Sequence, residues 1–501
     1  MKAFLMHRDR DVDLEREPPV HAEALVQDLA LDTLLDAMAG GDEFLRNAAH
    51  RALLETLTDP EEIRYRQRIL ADCLEQPEVV RAMYELAVEA AGAERGLYLG
   101  MASSSPSAIL SRAVTLLARL VPVLRRLRRL ADAHAAAFAS EGFRRLFATL
   151  REELDDAYFA EVERFLRELR FRDGVLMTAE LGKANAGARY VLRRARPRGW
   201  MRRLLPGGRP GLSFTIPDRD ENGARALGDL QARGLNLVAN AVAQSADHVL
   251  AFFAMLRAEL AFYVACLNLH ERLGQPACFP SPAPAGTPVF SVRGLYDAAL
   301  ALQSGKPVVG NDVEARGEGL VLVTGANRGG KSTFLRSVGL SRLMMQCGMF
   351  VPAESFAADV VEAIFTHYKR EEDPTMERGK LDEELARMSE IADVIAPNCL
   401  LLCNESFAST NEREGSEIGR QVLRALVESG VEVFYVTHLY DLARALHRDG
   451  LEEALFLRAE RLADGRRTFR VVPGEPLPTS HGQDLYRRIF GEEAVRAAAS
   501  G

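Results

Sequence analysis

The sequence predicts an α + α/β chain, with a helical first half carrying a small β-containing insertion and a second half built on a mostly parallel sheet. Two observations lead there. Apolar residues recur three and four positions apart from about Ala22 to Arg170 and again from about Asn222 to Leu273, the spacing of a helix face. Beyond residue 286, the short apolar runs Leu320 to Thr324, Cys399 to Cys403 and Val431 to Val436 alternate with helix-length stretches, as buried strands of a parallel sheet do.

Composition narrows the class. A length of 501 residues gives a prior of about two to four domains. Apolar and charged fractions of 48% and 27% are those of an ordinary packed protein, and a net charge of -8 offers no general attraction to nucleic acid or acidic membranes, so any DNA contact must be local. The cysteines Cys73, Cys266, Cys278, Cys347, Cys399 and Cys403 show no CxxC spacing and no nearby paired histidines. That argues against a zinc site or a disulfide framework and fits a reducing, cytoplasmic setting. Met1 to Leu14 is charged throughout and has no signal-peptide core. Val249 to Leu269 is long enough to span a bilayer, but Arg257 and Glu259 near its middle would be costly in hydrocarbon. It reads as a buried helix, with no membrane partner expected.

Taken in order, the helical half has one clear start signal. Asp59 can cap, Pro60 fits the first helical position, and Glu61 and Glu62 place negative charge at the positive end of the helix dipole. That helix is expected to run through Leu70. Arg125, Arg126, Arg128 and Arg129, interleaved with Leu124, Leu127 and Leu130, read as the polar face of an amphipathic helix. Between Phe171 and Pro217, scattered Gly and Pro and the strand-like pieces Gly174 to Thr178 and Leu212 to Ile216 mark an insertion. From Lys183 to Pro217 it carries no acidic residue, and Trp200 lies among its arginines. Arg193, Arg194, Arg196, Arg198, Arg202 and Arg203 are candidate phosphate contacts on DNA, and a solvated basic loop is the alternative reading. Pro280, Pro282, Pro284 and Pro288 mark a linker. The expected divisions are 1–170, 171–217, 218–280 and 286–501.

Chemistry concentrates in the second half. Gly325-Ala326-Asn327-Arg328-Gly329-Gly330-Lys331-Ser332 satisfies G-x-x-x-x-G-K-[ST], directly after a strand and before the helix-compatible run Ser332 to Cys347. Glycines let such a P-loop backbone approach phosphates and aim its N–H groups at them, and the helix dipole assists. The motif predicts ATP binding, with Lys331 on the β- and γ-phosphates, Ser332 on Mg2+, and Thr333 next along the cradle. The strand Leu400 to Cys403 ends in Asn404 and Glu405, where P-loop ATPases place Asp then Glu. Asn404 can bond a metal-bound water without supplying charge, and Glu405 is the candidate general base. A surface turn is the plainer reading of the pair. A third strand ends at His438, at the sheet edge where open α/β folds bind ligands. It is either a γ-phosphate sensor or an ordinary surface or capping histidine.

Four segments carry a resemblance. TGANRGGKSTFLRS from Thr324, GMFVPAES from Gly348, NESFASTNEREGSE from Asn404 and VTHLYDLA from Val436 together resemble the C-terminal ATPase of the MutS family of DNA mismatch repair proteins, a branch of the ABC ATPases. The likeness is strong over about residues 286 to 490. It implies an ABC-type P-loop ATPase domain with an FVPA strand, catalytic roles for Glu405 and His438, and dimerisation through this domain. Ser409, Thr410, Asn411, Gly379 and Lys380 would then lie near the subunit interface and the partner's nucleotide. A weaker similarity at Leu25 to Met38 and Asp59 to Leu74 implies a helical core and lever region, with the insertion after Phe171 standing where the family places a DNA clamp. Asn404 replaces the family's Asp, and GKLDEELARM from Gly379 replaces its Ser-Thr-Phe segment. The chain opens almost at once on lever-like sequence. A divergent branch without the N-terminal mismatch-recognition domain is implied, working as an ATP-hydrolysing homodimer on duplex, mismatched or branched DNA, or as a nucleotide-gated switch or scaffold that scarcely hydrolyses, with or without direct DNA binding.

Overall fold

A computed structural model describes residues 1–95, 105–172, 174–185, 187–194, 215–315, 317–370, 379–448, 454–462 and 466–477. The helices are α1 Ala22–Asp28, α2 Leu31–Ala39, α3 Glu43–Leu54, α4 Pro60–Glu75, α5 Pro77–Gly92, α6 Pro106–His134, α7 Glu141–Glu153 and α8 Asp156–Glu168. After the strands β1 Leu176–Leu181 and β2 Gly187–Arg193 comes the long helix α9, Glu221–Leu273. The second half contains β3 Ser281–Ala283, β4 Phe290–Leu295, α10 Ala298–Ser304, β5 Asn311–Ala315, β6 Leu320–Thr324, α11 Lys331–Gln346, β7 Ser355–Asp359 and β8 Ile364–Tyr368. It continues with α12 Lys380–Ala392, β9 Leu400–Asn404, α13 Glu412–Glu428, β10 Glu432–Val436, α14 Tyr440–Arg448, β11 Ala454–Arg461 and β12 Arg467–Pro473.

Two compact units result. The first comprises Met1–Ala3, Glu78–Phe138 and Phe143–Arg257, and the second Phe4–Pro77, Ala139–Gly142 and Ala258–Gly501. These units do not follow chain order as the compositional divisions do, because α1 to α4 pack on the α/β layers. On α11, a Cβ at Gly339 would sit 2.7 Å from Leu29 and 2.6 Å from Leu402 of β9, so the glycine lets the N-terminal helices and the sheet close on α11 from two sides. Buried Arg66 of α4 donates to the carbonyls of Met6 and Cys347 and to Glu55. Burying a guanidinium demands this complete set of partners.

In the first unit, α5 is joined to α6 by an ion pair between Glu89 and Arg126, and α6 to α8 by one between Arg125 and Glu163. Leu124 and Leu127 are buried beside those arginines, as their spacing predicts. Leu117, Phe165, Leu166, Val238 and Val242, with arginines including Arg164 and Arg193, line an open cavity of about 1010 Å³ in this unit. The insertion is an antiparallel hairpin, Leu176 facing Arg193 and Leu181 facing Gly187. Its first strand begins two residues later than the sequence predicts, and the Leu212 to Phe214 part of the second expected strand lies outside the described residues. By length and composition α6 and α9 could each cross a membrane, with 50% and 61% of their most apolar windows buried in the protein.

Helix α4 starts at Pro60 with Asp59 accepting from the Glu61 amide at 2.9 Å, and it runs to Glu75, beyond the expected Leu70.

The second unit holds a six-stranded sheet in the order β12-β11-β6-β10-β9-β8, parallel except for the β11–β12 pair. Its central strands are mostly apolar and buried, as the runs predict, with Glu432 at the start of β10 and Asn404 at the end of β9 polar and only partly buried. A second, four-stranded sheet, β3-β7-β4-β5, has no counterpart in the sequence expectations. Its strands are short and partly exposed, so they leave little apolar signal. The implied FVPA strand is not one: Val351 makes a single bridge with Cys278, and β7 starts only at Ser355. Pro352 has no N–H for a ladder, and its carbonyl accepts instead from the Tyr296 amide.

Candidate functional site

Register builds the site. Val436 of β10 pairs with Val323 of β6 on one side and Asn404 of β9 on the other, all parallel. The next residues of the three strands therefore emerge together at the sheet's carboxyl edge, bringing the glycine-rich loop, Glu405 and His438 to one line. The ladder continues past the strand ends, with the Glu405 amide donating to Val436 at 2.8 Å and the Thr437 amide to Val323 at 3.1 Å.

Two glycines give the loop its shape. Gly325 has φ +116° and Gly330 φ +96°, where a side chain would be strained. Asn327 and Arg328 are exposed at the tip, and Gly329 turns back on Ala326 through a 3.2 Å amide–carbonyl bond. Gly330 caps α11 without a side-chain bond, which leaves the first amides of a 16-residue helix to an outside acceptor. Lys331 is buried, its ammonium donating to the carbonyls of Gly325 at 2.8 Å and Ala326 at 3.2 Å. Burial pushes its pKa down, and Glu405 opposes that shift. Thr333 is half-buried behind Ser332.

Ser332 and Asn404 meet directly, the hydroxyl donating to Asn404 Oδ1 at 2.8 Å. Two neutral oxygen ligands beside an open helix N-terminus and a buried lysine fit a nucleotide phosphate with Mg2+, which favours oxygen donors and keeps several waters. Glu405 has φ +56°, an unfavourable region for a side-chain-bearing residue that persists where surroundings enforce it. His438 Nδ1 lies 3.7 Å from Glu405 Oε1, an electrostatic contact longer than a hydrogen bond. This imidazole is the main influence holding the Glu405 carboxyl below its usual pKa, with burial opposing and Lys331 and Lys369 assisting.

Other expected residues fall in different places. Ser409 donates to Glu384 of its own chain at 2.8 Å. Asn411 caps α13, accepting from the Glu414 amide at 3.0 Å, and Thr410 bonds the Glu414 carboxylate. Gly379 caps α12 and Lys380 begins it. Arg193 donates to Thr178 at 3.0 Å and Arg194 pairs with Glu168, while Arg196, Arg198, Arg202 and Arg203 lie outside the described residues. Sequence reasoning missed His367, buried on β8 and bonded to Ser406. Its signal was a titratable residue inside the short, wholly buried strand Ile364–Tyr368.

Residues 58–276 match the family model described as the MutS2 N-terminal domain, and residues 321–482 match MutS domain V. The chain belongs to the MutS family. It is 29% identical over 350 residues to the DNA mismatch repair protein MutS of Thermus aquaticus, covering 66% of this chain and 40% of that protein. It is 30% identical over 181 residues to Endonuclease MutS2 of Thermus thermophilus, covering 36% of this chain and 24% of the relative. MutS protein homolog 4 of Mus musculus is 28% identical over 170 residues, covering 34% and 17%. The chain thus spans less than half the length of these MutS relatives.

Proposed function

We propose that the protein is a MutS-like ATPase, a homodimer in which ATP and Mg2+ bound at Gly325 to Thr333 control a grip on duplex, mismatched or branched DNA. The observation that carries the reading is the convergence of Lys331, the Ser332–Asn404 pair and the Glu405–His438 pair at one sheet edge. The amides at the start of α11 and the Lys331 ammonium would receive the phosphates. Glu405, kept ionised by His438, can accept a proton from an attacking water. Magnesium, when bound, would neutralise charge on the phosphate oxygens, with Ser332 as a direct ligand and Asn404 acting through water. DNA as the partner is supported by the names of the relatives and by the basic insertion around Arg193 and Arg194.

Binding of a fluorescent ATP analogue, abolished in Lys331→Ala, is the first test, and absent binding by the unaltered protein would overturn the reading. ATP turnover with and without homoduplex, mismatched and branched DNA then tests the coupling. Asn404 favours a second reading, a nucleotide-gated switch or scaffold with little hydrolysis, because the neutral amide holds Mg2+ less tightly than the usual carboxylate. Single-turnover hydrolysis separates the two: a rate falling by about 10² in Glu405→Gln marks a true ATPase, and equal rates mark the switch.

A further inference from the structure

We propose that His367 is a positioning residue that holds the kinked backbone around Glu405 through the hydroxyl of Ser406. The inference deepens the ATPase reading and rests on the role given there to Glu405.

His367 is fully buried on β8, and a buried imidazole needs partners for both nitrogens. Nε2 lies 3.0 Å from the Glu384 carbonyl and Nδ1 2.6 Å from Ser406 Oγ. A carbonyl can only accept, so Nε2 carries the hydrogen, and the neutral ring then accepts at Nδ1 from the Ser406 hydroxyl. That single hydroxyl proton is shared with the carbonyl of His367, 2.8 Å away. Burial lowers the imidazole pKa to about 4, with Arg387 adding to the shift, so the neutral tautomer persists through the physiological range.

Ser406 stands between two side-chain-bearing residues in the left-handed region, Glu405 at φ +56° and Phe407 at φ +61°. Each is unfavourable for a residue with a side chain and survives only where the surroundings over-determine it. The determinants meet at Ser406: its side chain is held by His367, and its carbonyl accepts from the Tyr435 hydroxyl at 2.6 Å. Glu384, whose carbonyl receives Nε2–H, also takes the Ser409 hydroxyl on its carboxylate. The imidazole thereby ties the first turns of α12 to Ser406, and the Glu384 carboxylate ties the same helix to Ser409 at the far end of the segment.

Three variants test this. His367→Asn places an amide oxygen near the Nδ1 position and keeps an acceptor for Ser406, His367→Gln reaches the Glu384 carbonyl but leaves Ser406 unmatched, and Ser406→Ala removes the hydroxyl. In His367→Gln and Ser406→Ala, kcat for ATP hydrolysis should fall on the order of tenfold or more, with KM and fluorescent-nucleotide affinity within about twofold. His367→Asn should recover most of the rate. Hydrogen exchange of the Glu405 to Ser409 amides should accelerate in the first two variants and not in the third, whether or not the protein turns over ATP. Equal effects of Asn and Gln, a loss confined to KM, or unchanged exchange at Glu405 overturns the proposal. Absent turnover by the unaltered protein counts against the ATPase reading alone, since exchange still decides the role of His367.

Discussion

Ser332 Oγ donates to Asn404 Oδ1 across 2.8 Å, joining the first turn of α11 to the end of β9. The pair sets two neutral oxygens where a serine and a carboxylate would otherwise stand. Asn404→Asp is therefore expected to lower the Mg2+ concentration for half-maximal nucleotide binding by about fivefold, since a charged acceptor adds on the order of 1 kcal/mol. A magnesium titration monitored with a fluorescent nucleotide measures it, and an unchanged midpoint would show that Asn404 does not face the metal.

Arg342 of α11 is fully buried, with both Glu432 oxygens at 2.8 and 2.9 Å and Asp359 Oδ1 at 3.0 Å. It fastens the loop helix to β10 and, through Asp359, to the second sheet. Burial raises the Glu432 pKa, and Arg342 opposes that rise. Arg342→Met should destabilise the second unit by about 3 kcal/mol or more, because both carboxylates lose their buried partner. Urea denaturation reads this directly, and a change below about 1 kcal/mol would mean that the pair is as replaceable as a surface one.

Protonation of His367 would set a cation beside Arg387 and Arg370. Its folded-state pKa of about 4 lies below the ordinary 6.5, so between those values the unfolded chain binds more protons. The contribution of the neutral ring is fully present above pH 6.5 and lost as pH falls through 4, amounting to roughly 3 kcal/mol. Unfolding free energies measured from pH 7 to 4 should fall less steeply in His367→Asn, by about that amount, provided the variant folds at pH 7. Parallel curves would contradict the assignment.

Arginines in the insertion make the DNA reading measurable. Arg193 and Arg194 already bond Thr178 and Glu168, so binding to phosphate would compete with these internal bonds. Replacing Arg193, Arg194, Arg202 and Arg203 by Gln should reduce the slope of log affinity against log salt by about 0.9 for each phosphate that is no longer neutralised. DNA binding with an unchanged slope would place the interface elsewhere.

The parallel sheet and its edge were legible because β6, β9 and β10 are mostly buried and read as apolar runs, interrupted in β10 only by Glu432, that lead into Gly325, Asn404 and Thr437. The short strands of the second sheet alternate or carry polar residues, as in Asn311–Ala315, and so resemble loops. Glu405 and His438 could be named from their place after strands. Their 3.7 Å approach, the left-handed backbone at Glu405 and the tie through His367 could not, because these depend on residues far apart in sequence meeting across strands.

The association of Phe4–Pro77 with Ala258–Gly501 has a consequence for synthesis. Helices α1 to α4 leave the ribosome long before α11 and β8 exist to cover them, so their apolar faces, Leu25, Leu34 and Leu35 among them, must wait while most of the chain is made. High sequence separation of this kind slows folding and leaves early segments open to aggregation. A fragment started at residue 286 would have the reverse defect, exposing the flank of α11 that Leu29 normally covers.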